Sequence, residues 1–276
     1  MTDSTPFDEA ALNTALSGTG WRRLEIVERT GSTNADLMAR AAAGEDITGV
    51  VLIAEDQSAG RGRQGRAWSA DPGTQVTMSV GVSAVDVPVA SWGWLSLAAG
   101  VAVVDAVAPM LAEAGSLAGL KWPNDVLAGR ADADGVATGS VGKLAGILAE
   151  VARPAIVVGL GLNVIRAPDG VAVATSLVDL AVAEPDRQAV VISLLRELDA
   201  RIAQWRRADP RLAVDYRDRS LTIGSRVRAQ LPGDRDVVGI ATGVDEQGRL
   251  HISADGQTVA VSAGDVVHLR ASDQAG

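Results

Sequence analysis

Cysteine is absent from all 276 residues, which excludes disulfide staples, thiol nucleophiles and Cys-ligated zinc. Histidine is nearly absent. His251 and His268 both stand near the C-terminus, away from every motif described below, so neither histidine catalysis nor a histidine-bound zinc is expected. Aromatic residues are only 3% of the chain, and most of them are tryptophan. An excess of positive charge is also missing: 25 Lys and Arg stand against 34 Asp and Glu, a net charge of −9 that counts against a general nucleic-acid binder. The segment Met1-Thr2-Asp3-Ser4-Thr5-Pro6 lacks the basic and apolar regions of a signal peptide, so a cytoplasmic protein is expected. The longest apolar stretch, around Trp92 to Leu111, is interrupted by Gly93, Gly100, Asp105 and Pro109. A buried helix, bent or ended near Pro109, is expected there rather than a membrane span.

What is present is bulk. With 47% hydrophobic residues, the chain can bury a large core and fill one large domain, or a large and a small one. The local exception to its acidity is Gly60-Arg61-Gly62-Arg63-Gln64-Gly65-Arg66, with three guanidinium groups among three glycines. Glycine admits a close backbone approach to a ligand, and arginine offers planar charged donors suited to phosphate or carboxylate oxygens. Clustering three such charges costs self-repulsion, for which an anionic partner is the natural compensation. A solvated Arg/Gly loop is the plainer alternative.

Hydrophobic periodicity divides the chain. Residues 1–20 read as an extension with one short helix near 8–16. Residues 22–29 read as a strand, and 35–44 as a helix capped by Ser32 or Thr33. Val50 to Ala54 form a buried strand, and residues 76–83 alternate as a half-exposed one. A Pro-Asn-Asp turn follows Lys121, and the Gly- and Ala-rich segment 128–142 is expected to be a mobile loop. Residues 143–150 and 155–163 read as antiparallel strands turning at Arg153-Pro154. Residues 187–207 repeat Val191, Leu194, Leu195, Leu198, Ile202 and Trp205 at helical steps. Beyond 221, five short strands with turn signals suggest a small β-barrel. The expected division is an extension at 1–20, a main domain at 21–220, a small β-domain at 221–270 and a tail at 271–276.

Five motifs occur in order: Ser32-Thr33-Asn34; Gln57 with the 60–66 loop and Trp68; Lys121-Trp122-Pro123-Asn124-Asp125; Lys143-Leu144-Ala145-Gly146-Ile147-Leu148; and Gly159-Leu160-Gly161-Leu162-Asn163. This series resembles the biotin protein ligase family over residues 25 to 180, and the small C-terminal β-domain agrees with it. The resemblance implies an α/β catalytic domain with a mixed sheet, like that of class II aminoacyl-tRNA synthetases, followed by an SH3-like barrel. It implies a two-step reaction: biotin and ATP give biotinyl-5′-AMP and pyrophosphate, and a lysine of a biotin carboxyl carrier domain then attacks the mixed anhydride. Some bacterial members carry an N-terminal DNA-binding winged helix. Residues 1–20 are too few for one, so a ligase-only form is expected, with no DNA or membrane partner, as a monomer or weak homodimer.

The resemblance also implies roles. Ser32, Thr33, Asn34, Gln57, Gly60, Arg61, Gly62, Arg63, Lys121, Gly146 and Ile147 would bind biotin. Arg61, Arg66, Trp68, Lys121 and Asn163 would face ATP and the adenylate. Lys121, Arg63 and Arg66 would carry the catalytic charge, with Mg²⁺ helping and no protein ligand assigned to it. These residue types suit the reaction, since a carboxylate attacking an α-phosphate brings anions together and only cationic groups offset that charge. Asn124 and Asp125 read as turn residues, Lys143 as a strand-start lysine without assigned chemistry, and the facing of Glu150 is left open. A lipoate or octanoate transferase, which shares the fold, and a phosphate-gripping nucleic-acid module are the competing functions.

Overall fold

The computed structural model describes residues 5–132, 137–168, 173–231, 235–262 and 264–269. In a β-strand successive side chains point to opposite faces, so a strand covered on both sides reads as continuously apolar. Strand β2 (Val50–Gln57) does so. Val51 and Ile53 enter the large core, while Val50 and Leu52 enter a smaller one beneath helix α2 (Thr33–Ala42). That split places β2 centrally, between β1 (Arg23–Thr30), which it pairs in parallel, and β3 (Gln75–Ser83), which it pairs antiparallel. The short helix α1 (Glu9–Ala15) precedes β1, capped by the Asp8 carboxylate, which accepts from the Ala11 N–H.

Helix α3 (Gly93–Glu113) is apolar all round and lies in the core. The segment Val89–Glu113 is long and apolar enough to cross a membrane, but 67% of its apolar 18-residue stretch is buried inside the fold. It runs on past Pro109, where a bend or an end was expected, because Leu111 is fully buried and holds the last turn in the core. Four strands follow: β4 (Ser116–Lys121), β5 (Asp125–Ala131), β6 (Ala137–Ala152) and β7 (Ala155–Asn163). The sheet order is β1-β2-β3-β7-β6-β5-β4, all antiparallel except the β1–β2 pair. This is the expected mixed sheet. Helices α4 (Arg187–Arg206) and α5 (Arg211–Asp218) pack with α3 on the face opposite α2.

Two sequence expectations fail here, each for a physical reason. Segment 128–142 was expected to be a loop, yet β5 and β6 run through most of it and pair from Asp125↔Gly146 to Ala131↔Ala137, leaving residues 133–136 outside the described ones. Small side chains gave no apolar alternation, but the ladder's backbone hydrogen bonds do not need one. Strand β3 was expected to be half-exposed, yet nearly all of it is buried. Its polar face is covered by α2 and bonded internally: Thr77 Oγ1 donates to the Ala54 carbonyl at 2.8 Å, and Ser79 Oγ donates to Asn34 Oδ1 at 2.6 Å.

After α5 the chain forms a five-stranded antiparallel sheet, ordered β11-β10-β9-β8-β12, from β8 (Arg226–Leu231), β9 (Arg235–Val244), β10 (Leu250–Ala254), β11 (Gln257–Val261) and β12 (Asp265–His268). It docks on the larger sheet through specific bonds. The Trp94 and Trp122 indole N–H groups donate to the carbonyls of Asp245 and Gly248 at 2.8 and 3.0 Å.

Candidate active site

Three adjacent strands build the floor of the main cavity. β3, β7 and β6 bring Ser79 beside Gly159 and Leu148, and Thr77 beside Gly161 and Gly146. The glycines leave a trough in the sheet, and neighbours occupy it. A Cβ on Gly159 would lie 2.1 Å from Asn34 Oδ1, and one on Gly161 would lie 2.3 Å from Trp68 Cε2. The Trp68 indole thus lies against the Gly161 and Gly146 backbone, its N–H donating to Gln75 Oε1 at 2.9 Å.

One wall is the N-terminus of α2. Ser32 caps the helix, accepting from the Ala35 N–H, and Ser32, Thr33 and Asn34 are all buried. Gln57 Oε1 accepts from the Thr33 N–H at 2.8 Å. Thr33 Oγ1 donates to Gln57 Oε1 at 3.1 Å and Ser79 Oγ donates to Asn34 Oδ1, with the two hydroxyl oxygens 2.7 Å apart. Asn34 Nδ2 then donates to Glu150 Oε2 at 2.9 Å, which continues the row to Arg61 Nη2, 2.8 Å from Glu150 Oε1. A fixed row of neutral donors and acceptors, ending at an ion pair, therefore runs from β2 to β6.

The opposite wall is the arginine loop. Its backbone closes on itself by a Gly62 N–H to Arg66 carbonyl bond of 2.7 Å, and the turn needs φ +56° at Gln64 and +74° at Gly65. Glycine at 60 is required for close approach, since a Cβ there would meet the Trp68 carbonyl oxygen at 2.3 Å. The three guanidinium groups fan apart: Arg61 to Glu150 on β6, Arg63 to Asn124 Oδ1 at 3.1 Å, and Arg66 to Asp265 Oδ1 on β12 at 2.7 Å. Two of the three charges are thus offset within the chain. Among the described residues Arg63 hydrogen-bonds a neutral amide, and burial lowers its pKa, with repulsion from Arg66 in the same direction and Asp265 and Asp125 opposing. An anion in the cavity would relieve Arg63 most.

Lys143 stands at the far end. Its ammonium pairs with Asp125 Oδ1 at 2.7 Å and lies 5.5 Å from the Trp68 ring centre, within cation–π reach. Asn163, almost fully buried, donates Nδ2 to the carbonyls of Lys143 and Thr175 at 3.2 and 2.9 Å. Its Oδ1 has no partner among the described residues.

Together these groups line a cavity of about 340 Å³, within the size range of small-molecule sites. Ser32, Thr33, Asn34, Gln57, Arg61, Gly62, Arg63, Arg66, Trp68, Gly146, Ile147 and Asn163 all line it. Gly60 does not, and acts from behind Trp68. Lys121 does not either. It lines a separate crevice of about 10 Å³, while Lys143, which the sequence reading left without chemistry, lines the cavity itself. Asp125, Asn124 and Glu150 also take part, as partners of Lys143, Arg63 and Arg61. A signal for Lys143 existed, because it opens the same six-residue motif that supplies Gly146 and Ile147. Glu150 and Gln75 carried none. Among the described residues no three His, Cys, Asp or Glu side chains cluster as a metal site.

Residues 27–165 match the Biotin/lipoate A/B protein ligase family, and residues 222–269 match the Biotin protein ligase C terminal domain. The chain is 62% identical over 268 residues to the biotin–[acetyl-CoA-carboxylase] ligase of Mycobacterium tuberculosis, covering 96% of this chain and 97% of that one. In fold it resembles the biotin protein ligase of Aquifex aeolicus solved in complex with biotin and ATP, with a TM-score of 0.74 at 22% identity, over 91% of this chain and 100% of that one. It also resembles the Leishmania major biotin protein ligase in complex with biotinyl-5-AMP, with a TM-score of 0.59 at 24% identity, over 87% and 99% of the two chains.

Proposed function

The chain belongs to the biotin protein ligase family, and on that premise we propose that it makes biotinyl-5′-AMP from biotin and ATP and transfers biotin to a lysine of a biotin carboxyl carrier domain. One observation carries the reading to residues: a single cavity joins a row of neutral hydrogen-bonding groups at Thr33, Asn34 and Gln57 to the cationic groups Arg63 and Lys143, beside the Trp68 indole seated on its glycine floor. The neutral row suits a ureido ring, which needs both donors and acceptors. The apolar lining at Met78, Ile147 and Leu160 suits a thin apolar chain, and the cations suit a carboxylate meeting an α-phosphate.

In the first step a biotin carboxylate oxygen attacks the α-phosphorus, and pyrophosphate departs with the bonding electron pair. Lys143 and Arg63 offset the charge that gathers as the two anions meet. In the second step the acceptor amine attacks the acyl carbon, loses its proton and expels AMP. We assign the ammonium role to Lys143 in place of Lys121. The placement of Lys143 on the cavity, and of Lys121 outside it, supports that choice.

Mg²⁺ fits as a companion of the nucleotide. Asp125 and Glu150 are engaged by ion pairs with Lys143 and Arg61, and Asn163 Oδ1 is a buried side-chain oxygen on the cavity wall with no partner among the described residues. Such a donor set suits a metal held mostly by phosphates and water, and bound there the ion would neutralise phosphate charge. The proposed division of the chain is a catalytic domain at 21–220 and a β-domain at 221–270, supported by the C-terminal family match at 222–269. A cytoplasmic monomer or weak homodimer with no DNA partner completes the proposal.

The test is incubation with labelled biotin, ATP, Mg²⁺ and a carrier domain. ATP-dependent labelling of one acceptor lysine is expected, and lipoate should not compete at equal concentration. Labelling that lipoate supports and biotin does not would assign the chain to the other branch of the family.

A further inference from the structure

Two residues that line one small crevice each carry a buried polar atom without a hydrogen bond among the described residues. The first is the hydroxyl of Tyr216 on α5, a residue only 2% exposed. The second is Asp125 Oδ1, which lies 2.7 Å from Lys143 Nζ as an ion pair but makes no well-directed hydrogen bond. Both side chains line the crevice of about 10 Å³ that lies between α3 and the turn joining β4 to β5. That volume is about what one water molecule requires, and water enters such a space only when polar partners await it. Ser96, Lys121 and Asn124 supply further polar lining.

Nothing else in the packing requires a hydroxyl at position 216. The Tyr216 ring meets Trp94 edge-on with centroids 5.8 Å apart, a contact phenylalanine would make equally well. Burial pushes the Tyr216 pKa far up, so the group remains a neutral O–H donor. Asp125 belongs to both spaces: it lines the crevice on one side and the reaction cavity, where it grips Lys143, on the other. A carboxylate held on one side only can swing with its lysine, and a second hydrogen bond from behind would fix it.

We propose that one ordered water occupies this crevice, accepting from the Tyr216 hydroxyl and donating to Asp125 Oδ1. Tyr216 is then a positioning residue: through the water and Asp125 it holds the Lys143 ammonium in the cavity. The water site stands by itself, while the effect on catalysis rests on the ligase reading above.

The variant is Tyr216→Phe, which keeps the ring and removes one oxygen. In high-resolution crystal structures of both chains, the wild type should show a water within hydrogen-bond distance of Tyr216 Oη and Asp125 Oδ1, and the variant should lose it. A dry crevice in the wild type, or a water unmoved in the variant, overturns the proposal. Pyrophosphate release from biotin and ATP supplies the second measurement. The variant's kcat should fall about five-fold, the equivalent of one net hydrogen bond, with the Michaelis constants of biotin and ATP within about two-fold of wild type. An unchanged kcat overturns the positioning role even if the water is present. A merely structural role predicts instead a lowered melting temperature with kcat intact. If wild type and variant both release no pyrophosphate, the ligase reading fails, and the crystallographic comparison still decides the water site.

Discussion

At the scale of single residues, the distinction that matters is between Lys121 and Lys143. Each opens a motif, Lys121 before a Pro-Asn-Asp turn and Lys143 at the start of an apolar strand segment, and neither local setting says which lysine meets the ligand. Their surroundings do: Lys143 pairs with Asp125 at the cavity and faces the Trp68 ring, whereas Lys121 lines the small crevice and lies near His268. Lys143→Ala should lower adenylate formation on the order of 100-fold or more, comparable to removing one preorganised donor. Lys121→Met, which keeps the stem, should cost less than about ten-fold. Single-turnover formation of biotinyl-5′-AMP measures both, and equal losses would restore Lys121 to the site. Arg63→Lys should behave as a loss, because an ammonium cannot reproduce the planar contact with Asn124 while facing an anion.

At the scale of elements, the glycine strip and the arginine loop act together. Gly161 leaves room for the Trp68 indole, and the methyl of Gly161→Ala would stand 2.3 Å from the ring. The ring must then leave its seat. The expected outcome is lost biotin affinity with a shifted tryptophan emission, neither of which Gly243→Ala, in open space at an ordinary φ, should show. The loop is tied to the second sheet by the Arg66–Asp265 pair. This pair is exposed and contributes little to stability, but it spans two parts of the fold. Asp265→Asn should therefore speed amide exchange across residues 60–66 while leaving the global unfolding free energy within about 1 kcal/mol. Unchanged exchange would mean that the Arg61 and Arg63 contacts suffice to hold the loop.

At the scale of the whole molecule, the contact between the two sheets carries a pH dependence. His268 sits where the small sheet meets β4. The Thr222 hydroxyl accepts from the Trp122 backbone N–H and shares a 3.0 Å hydrogen bond with His268 Nε2. Burial first, and the Lys121 charge second, lower the His268 pKa from 6.5 to about 4. The sign follows from proton counting: between pH 4 and 6.5 the unfolded chain holds a proton that the folded chain refuses, so stability rises with pH across that window and is lost on acidification. Denaturant titrations from pH 7 to 4 should show a steeper decline for the wild type than for His268→Gln. Parallel curves would place the acid sensitivity elsewhere. The net charge of −9 belongs to this scale too. It limits the arginine loop to a small anion, so duplex DNA should bind weakly and be released by modest salt.

Much of this protein was legible before any coordinates. Periodicity marked α2, α4 and the small strands of the C-terminal sheet, because their apolar residues repeat at the period of the structure they adopt, while unbroken apolar runs marked β2 and α3. The five motifs collected most of the cavity wall, because glycines and charges that must meet a ligand depart from the pattern of a core. The sequence could not locate β5 and the start of β6, whose small side chains carry no period, nor the burial of β3, whose polar face is satisfied by α2 and β2. Nor did it set Lys143 above Lys121, to which it gave the catalytic charge, or find Gln75 as the partner of Trp68, or Glu150 and Asp265 as partners of Arg61 and Arg66 far along the chain. Local sequence determines which residues are able to bind and which segments repeat. Which of them share one cavity depends on strand order and on the docking of the second sheet, and those are set by the packing of the whole core.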